Sequence, residues 1–333
     1  MATFKVTKGT PVAFRDSAYP TAYPSPQEGE LFYNGSAGSF QFIGVAAGAW
    51  SSGGNVNTAR KGLSGFGTQT AAIAATGNTP PNTTKVESYN GTTWTEVTNI
   101  PSARSFAGYG GTQTAAVSFG GTTPVFAATL EYDGTNWADG GDLGTARYRI
   151  GGAGTQTAAL GFGGYVGSPP NAGTTATEEY DGSSWTDGGA MGTARNYLMA
   201  CFGIQTDAMA ACGSNPNVNT TEIYNGSSWS AGANYLYGTR GYVVASGPNT
   251  NDLRLFGAYT GNIATSNEAV TYNGTAFTTA PFLSTARIYG TSAASAPSGA
   301  SMLVGGDAPG NSNATEEFTV GSTAETGSTI DFD

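Results

Sequence analysis

Short apolar segments separated by glycine-rich turns run along most of this 333-residue chain. In the clearest copy, YRIGGAG and TQTAALGFGG are followed by a variable stretch and then by ATEEYDGSSW. Helices would need more Leu, Glu and Lys, whereas these segments fit short strands joined by tight turns. The pattern predicts strand A over residues 148–153, strand B over 157–162, strand C over 177–180 and a strand D that carries Trp185.

The same arrangement returns six times, at intervals of 43 to 48 residues. In each copy an aromatic residue is followed ten or eleven positions later by an arginine. The six pairs are Trp50/Arg60, Trp94/Arg104, Trp137/Arg147, Trp185/Arg195, Trp229/Arg240 and Phe277/Arg287. A period of this length, built from strand-like segments, is typical of a β-propeller or another repeat array.

The turns and aromatic residues of the repeat have structural explanations. An Asn-Gly or Asp-Gly pair separates strands C and D in five copies, and these dipeptides tolerate the positive φ angles of a type I′ turn. Large rings such as Tyr132 and Trp137 would pack between neighbouring blades whose strands are otherwise rich in Gly and Ala.

The repeat arginines have two interpretations. In the leading one they are buried and paired with carboxylates that recur two residues before the strand-C aromatic residue. These carboxylates are Glu87, Glu178, Glu222 and Glu316. In the other interpretation the six arginines line a central channel and hold an anion there.

Composition removes several classes of function. The chain has 23 acidic and 13 basic residues, and six of the bases are the repeat arginines, so no basic stripe remains for nucleic acid. Histidine is absent, which removes the usual general base, the usual zinc ligand and the Ser-His and Cys-His nucleophile pairs. No apolar run is long enough for a signal peptide or a membrane helix.

The two cysteines, Cys201 and Cys212, flank a predicted hairpin turn. A symmetric ladder would place residue 201 opposite about residue 208, so a disulfide is disfavoured. Cys212 stands where other copies have the first glycine of a pair, and we expect a small buried thiol.

The glycine doublets, followed by a Tyr and by a Trp five residues later, resemble the kelch repeat. The doublets are Gly120-Gly121, Gly163-Gly164 and Gly305-Gly306, and the positions Thr76-Gly77, Cys212-Gly213 and Phe256-Gly257 depart from them. In that family each repeat is one four-stranded blade. The resemblance implies an all-β, six-bladed kelch-like propeller over about residues 41–318.

A second resemblance concerns biology. The phrases GTQTAA(L/V)xFGG and ATEEYDGxSW, with the N-terminal GELFYN, FQFIG and GAW, are similar to repeat-rich structural proteins of tailed bacteriophages, particularly marine cyanophages. That likeness implies a virion component, such as a tail-fibre-like chain, made in the host cytoplasm without a signal peptide. It carries over no catalytic residue, cofactor or metal site.

The chain ends suggest how the ring closes. We predict that the strand of Trp50 completes the sixth blade, with residues 328–332 as the competing candidate. Residues 1–40 would form an extended arm with one small hairpin near Glu30 to Tyr33, and residues 319–333 a C-terminal tail. The arm is our candidate for attachment to other virion proteins or sister subunits.

The connection between strands B and C varies most in length among the copies. On the face that carries these loops we expect exposed ligand or partner contacts at Phe126, Tyr165, Asn171, Tyr259 and Asn262. Exposed tyrosines with amides would suit a host-surface glycan or a protein neighbour, although unselected variation in loop length gives the same pattern.

The leading functional hypothesis is a non-enzymatic virion structural protein of a tail, fibre or capsid decoration. The alternative is a lectin-like receptor-binding protein that uses the B–C loops. Propeller copper oxidases need histidine ligands, and sialidase Asp boxes place one residue between Asp and Gly, whereas Asp133-Gly134 is adjacent. A paired-carboxylate glycosidase and a kelch adaptor stay open as less favoured interpretations.

Overall fold

The computed structural model describes residues 13–15, 31–34, 39–45, 48–167, 173–196, 202–213, 219–237, 242–260, 264–293, 295–321 and 323–326. Internal contacts divide the chain into two units, residues 1–49 with 320–333 and residues 50–319. The second unit is an all-β six-bladed propeller, which confirms the predicted fold. The contacts place the start of the ring at Trp50, later than the predicted residue 41.

Each blade is an antiparallel sheet with its strands in the order A, B, C and D. Blade 1 contains Ser64–Thr68, Ala71–Ala75, Val86–Tyr89 and Trp94–Val97. Blade 2 contains Gly108–Gly111, Ala116–Phe119, Thr129–Tyr132 and Trp137–Asp139. Blade 3 contains Gly151–Thr155, Ala158–Phe162, Thr177–Tyr180 and Trp185–Asp187. Blade 5 contains Val244–Asn249, Asp252–Thr260, Ala264–Tyr272 and Phe277–Ala280.

Blades 4 and 6 show fewer described strands. Blade 4 contributes strands B to D, at Ala208–Ala211, Thr221–Tyr224 and Trp229–Ala231. Blade 6 contributes Met302–Val304 and Thr315–Thr319, with a single bridge from Thr291 to Val304 on the inner side. The described helical structure is one 3-10 turn, Ser298–Ala300, and no described helix has the length and apolar character needed to cross a membrane.

The N-terminal strand Ala49–Ser52 completes blade 6 beside Thr315–Thr319, as predicted. The N–H of Gly53 donates to the carbonyl of Thr315 at 3.0 Å, and the Trp50 ring packs edge-on against Phe318 at 5.5 Å. Distant parts of the chain therefore lock the ring. The competing segment, residues 328–332, lies outside the described residues.

The terminal unit contains one sheet. Leu31–Asn34 and Ser39–Val45 form the antiparallel hairpin expected near Glu30 to Tyr33. Ala13–Arg15 pairs in parallel with the first of these strands, and Thr323–Thr326 pairs with the second. The sequence did not predict that a C-terminal strand would join this sheet. The rest of the predicted arm lies outside the described residues.

A left-handed residue follows strand B directly in five blades and lies within the longer strand B of blade 5. The φ angles are 62° at Thr76, 67° at Gly120, 62° at Gly163, 59° at Cys212, 59° at Gly257 and 63° at Gly305. At Gly120 a Cβ atom would lie 2.4 Å from the carbonyl oxygen of Arg147 in the next blade, so glycine suits this position. Cys212 is a buried thiol, as expected, and Cys201 lies outside the described residues.

The next residue joins neighbouring blades. The N–H of Gly121 donates to the carbonyl of Arg147 at 2.8 Å, and Gly77, Gly164 and Gly306 make the same bond to Arg104, Arg195 and Arg60. In blade 5 the predicted pair, Phe256-Gly257, is one residue out of register with the glycine doublets of the other blades. Gly257 has the φ angle of the first residue of the doublet. Strand B continues through Gly257 into a long hairpin, where the sequence predicted a loop.

The side chains of the repeat arginines are buried inside the blades. Arg147 donates through Nη1 to the carbonyls of Gly163 at 3.0 Å and Ala176 at 3.1 Å, which ties strand B to strand C. Its Nη2 lies 2.6 Å from Oε1 of Glu178. Corresponding pairs are Arg60–Glu87 at 3.1 Å, Arg195–Glu222 at 2.9 Å and Arg287–Glu316 at 2.9 Å.

These pairs confirm the predicted role of the four glutamates. Each of the five described repeat arginines is at most 1% exposed, so none of them lines an open channel. The channel-ring interpretation is therefore wrong for these five, because the guanidinium groups complete the hydrogen bonding of strand ends within their own blades. Arg240 lies outside the described residues.

Polar contacts of the outer strands connect blade 3 to blade 2. The hydroxyl of Tyr180 donates to Glu131 at 2.6 Å, and Trp185 Nε1 donates to the hydroxyl of Thr129 at 2.8 Å. Gln156, from the Thr-Gln-Thr phrase, donates to the carbonyl of Tyr132 at 2.9 Å. The aromatic residues thus pack between blades as predicted. A glutamine at the same place in four A–B turns, Gln69, Gln113, Gln156 and Gln205, bonds the turn to the preceding blade, a role that was not predicted from the sequence.

Candidate functional site

The candidate site lies on the axis of the propeller, where the links from strand D to strand A meet. The second residue after the repeat arginine has a left-handed backbone in every blade where it is described. The φ angles are 66° at Gly62, 57° at Phe106, 53° at Arg149, 63° at Tyr242 and 59° at Tyr289. The related residue of blade 4, Tyr197, lies outside the described residues.

The left-handed backbone lets these residues bond to one another around the axis. The N–H of Gly62 donates to the carbonyl of Tyr289 at 2.7 Å, Phe106 donates to Gly62 at 2.9 Å, and Arg149 donates to Phe106 at 2.8 Å. For a residue other than glycine this conformation costs roughly 1–2 kcal/mol. Four bulky residues therefore occupy positions that glycine would fill with less strain, and such outliers cluster at functional sites.

The side chains form what we call the axial cluster, consisting of Phe106, Tyr148, Arg149, Tyr165, Tyr242 and Tyr289. The guanidinium carbon of Arg149 lies 5.1 Å from the ring centre of Phe106 and 5.6 Å from those of Tyr148, Tyr165 and Tyr242. These distances are within the range of cation–π attraction.

Rings also contact each other directly across the axis. Tyr289 packs edge-on against Tyr242 at 4.1 Å and against Phe106 at 5.5 Å. Gly62 makes room for this arrangement, since a Cβ atom there would lie 2.9 Å from the Phe106 ring. The cluster thus groups aromatic rings around one guanidinium where the described D–A links meet.

Exposure differs within the axial cluster. Tyr165 and Tyr242 are buried, at 2% and 3%, whereas Phe106, Tyr148, Arg149 and Tyr289 are half-buried. The half-buried members present ring and guanidinium surface on the face formed by the D–A links and the B–C loops, which we call the loop face. Partly exposed aromatic rings beside a cation can bind a carboxylate, a sugar ring or a peptide side chain.

Polar residues surround the axial cluster on the loop face. Lys61 Nζ lies 5.6 Å from the Tyr289 ring centre and 2.5 Å from Oδ2 of Asp307. Burial alone would raise the pKa of Asp307, but the bonds from Lys61 and from the Gly310 N–H lower it. The Asp307 carboxyl therefore stays ionised at neutral pH. Asn78 Nδ2 donates to Asn82 Oδ1 at 2.8 Å, and these amides extend the polar rim.

The structure changes the interpretation of the predicted contact residues. Tyr165 is not exposed as expected, because its ring stacks on Tyr148 at 5.1 Å. Phe126 packs inward, with its ring centre 4.7 Å from the guanidinium carbon of Arg104. The backbone of Tyr259 pairs with Thr265 in the long hairpin of blade 5. Asn171 and Asn262 lie outside the described residues.

The axial position was not predicted from the sequence, because strand A of blade 3 was expected over residues 148–153. Strand A begins at Gly151, and Tyr148 and Arg149 contribute to the axial cluster instead. A signal was present. Aligning the copies on the repeat arginine gives Gly62, Phe106, Arg149, Tyr197, Tyr242 and Tyr289 in one column, and large side chains fill five of the six positions.

No family model matches the chain, and no curated protein matches its sequence. Among the described residues, no three His, Cys, Asp or Glu side chains are grouped to hold a metal ion. The fold and the axial cluster define the class, a six-bladed β-propeller with a cationic aromatic site at one mouth, which is consistent with a structural or binding role.

Proposed function

We propose that this chain is a non-enzymatic component of a tailed phage particle that recognises a partner through its loop face. The observation that carries the proposal is the axial cluster, in which half-buried Phe106, Arg149 and Tyr289 have left-handed backbones. Strain of this kind, combined with partly exposed aromatic and cationic surface, is common where a protein contacts a ligand.

The phage assignment rests on the repeat phrases and on the N-terminal GELFYN segment. The topology of the ring agrees with a mounted appendage. Strand D of blade 6 begins at Ala49 and strand C ends at Thr319, so the chain enters and leaves the ring on the face of the A–B and C–D turns. The terminal segments are then the candidate attachment to other virion proteins.

A lectin-like receptor-binding protein is the second candidate. It is favoured by the half-buried rings of Phe106, Tyr148 and Tyr289 beside the amides of Asn78 and Asn82, since sugars bind aromatic faces flanked by hydrogen-bonding groups. The two candidates share one surface and differ in whether that surface contacts host glycan or a protein neighbour.

The substitution Arg149→Asn tests the loop face. Asparagine tolerates the left-handed backbone, so we expect the ring to fold with an unchanged melting temperature while adsorption of particles to host cells falls at least about tenfold. The matched control is Lys85→Asn, which removes the same charge from an exposed ion pair with Glu96. Adsorption and glycan-array binding would be measured for both variants.

The outcomes separate the candidates. A loss of glycan binding in Arg149→Asn alone supports the lectin-like protein, whereas a loss of incorporation into particles supports a contact between virion subunits. Equal adsorption and incorporation of both variants would exclude the axial cluster as the contact. Absence of the chain from purified particles, tested by mass spectrometry and cryo-EM, would exclude the phage assignment itself.

A further inference from the structure

Among the described repeat arginines, Arg104 lacks the carboxylate that Arg60, Arg147, Arg195 and Arg287 have. The fifth copy has Val270 at the glutamate position, and its Arg240 lies outside the described residues. In four blades the arginine forms an ion pair with Glu Oε1, with a hydrogen bond in three of them, and Oε2 accepts from a backbone N–H three residues before that arginine. The N–H groups belong to Asn57, Gly144, Gly192 and Ser284, at 2.6 to 2.7 Å. In blade 2 the glutamate position is Leu130, and the N–H position is Pro101, which has no N–H.

Arg104 is nevertheless fully buried, at 0% exposure. Its Nη1 donates to the carbonyls of Gly120 at 3.2 Å and Ala128 at 3.1 Å. Its Nε and Nη2 have no acceptor among the described residues. Nε is also without an acceptor in Arg60, Arg147 and Arg287, so Nη2 is the atom that distinguishes Arg104.

No carboxylate among the described residues forms an ion pair with Arg104, and the negative charges of Asp142 and Asp139 act on it only from beyond contact distance. A buried cation without a carboxylate in direct contact is strongly disfavoured. Burial lowers the pKa of Arg104 to about 10, so the group still carries its charge at neutral pH. The Phe126 ring, with its centre 4.7 Å from the guanidinium carbon, contributes cation–π attraction, but a ring supplies no hydrogen-bond acceptor for Nη2.

We propose that Arg104 binds a small monatomic anion of the chloride class at its Nη2 edge. A leucine side chain ends one bond short of the carboxylate oxygens of glutamate, so Leu130 cannot fill the position that Oε1 occupies in the other blades. A carboxylate ligand would also need the second donor that Pro101 lacks. A single spherical anion needs only the guanidinium donors and tolerates the apolar side of Leu130.

Bromide provides the direct test. Crystals of the full chain grown in bromide would show an anomalous peak within hydrogen-bond distance of Arg104 Nη2. In solution, with gluconate keeping the ionic strength constant, the folding constant would rise about tenfold for each tenfold increase in chloride above its Kd. The double variant Leu130→Glu/Pro101→Gly supplies the protein's own carboxylate and should lose this dependence.

Two results would overturn the proposal. One is water or no density at Nη2 in the bromide crystals. The other is an equal chloride dependence in the wild type and the double variant. If the double variant does not fold, Arg104→Met serves as the second comparison. The test is independent of the loop face, because Arg104 is buried within blade 2.

Discussion

Blades 2 and 3 contain the same buried arginine in different surroundings. In blade 3, Arg147 lies 2.6 Å from Glu178, and the other oxygen of that carboxylate accepts the Gly144 N–H at 2.6 Å. In blade 2, Arg104 lies below a phenylalanine ring, and neither the carboxylate nor the N–H is present.

The difference extends over three positions. Leu130 replaces the glutamate, Pro101 replaces the residue that would donate the N–H, and Phe126 stands where blade 3 has Thr174. A glutamate without its N–H partner, or an N–H without the glutamate, would leave a buried polar group unsatisfied. The comparison therefore indicates that, beside the buried arginine, the carboxylate and the N–H form a unit that is present in blade 3 and absent as a whole from blade 2.

The largest expected effect comes from breaking this unit in blade 3. Glu178→Leu would leave Arg147 buried without a counter-charge and should lower the free energy of unfolding by about 3–5 kcal/mol, measured by denaturant titration. The control Asp187→Leu removes an exposed carboxylate of the same blade and should change the free energy of unfolding by less than about 0.5 kcal/mol. Equal effects of the two substitutions would mean that Glu178 contributes no more than a surface charge.

A smaller effect is expected from building the unit in blade 2. Leu130→Glu alone supplies a carboxylate that pairs with Arg104 but accepts no backbone N–H, because Pro101 has none. Adding Pro101→Gly restores the N–H, and the double variant should be about 1–2 kcal/mol more stable than Leu130→Glu in the same titration, because a charged hydrogen bond contributes about 1.5–3 kcal/mol and glycine adds chain entropy. The control, Pro101→Gly alone, should be slightly destabilising. A double variant no more stable than Leu130→Glu would show that the N–H is not part of the unit.

The sequence predicted what the copies share. The fold, the closure of the ring by Trp50 and the four arginine–glutamate pairs follow from residues that recur at fixed offsets. Repetition carries that information because equivalent residues in different blades meet the same neighbours. The role of Gln156 was equally available, since the glutamine recurs in three other copies as Gln69, Gln113 and Gln205.

The sequence failed where a residue departs from its counterparts. Phe126 was predicted to be an exposed contact because it lies in a loop of variable length, but its ring covers an arginine whose missing partner is 26 positions from that arginine in the chain, at Leu130. Tyr165 was assigned to the surface for the same reason and is buried under Tyr148. Burial of a loop residue depends on its neighbours in space, which copy-to-copy alignment does not reveal.

The smallest effect concerns the hydroxyls that join the blades. Burial, with a further contribution from Glu131, raises the pKa of Tyr180 to about 12, from 10.0 in the unfolded chain. Between these values the unfolded state loses its proton while the folded state keeps it, so stability present below about pH 10 is lost as the pH rises towards about 12. Tyr132 in blade 2 donates to the carbonyl of Gly134 rather than to a carboxylate.

Tyr180→Phe should therefore reduce the loss of unfolding free energy between about pH 10 and 12 more than Tyr132→Phe does. Denaturation midpoints and tyrosinate absorbance are the measurements. If both variants follow the wild-type curve, the bond between Tyr180 and Glu131 does not contribute to the joining of blades 2 and 3.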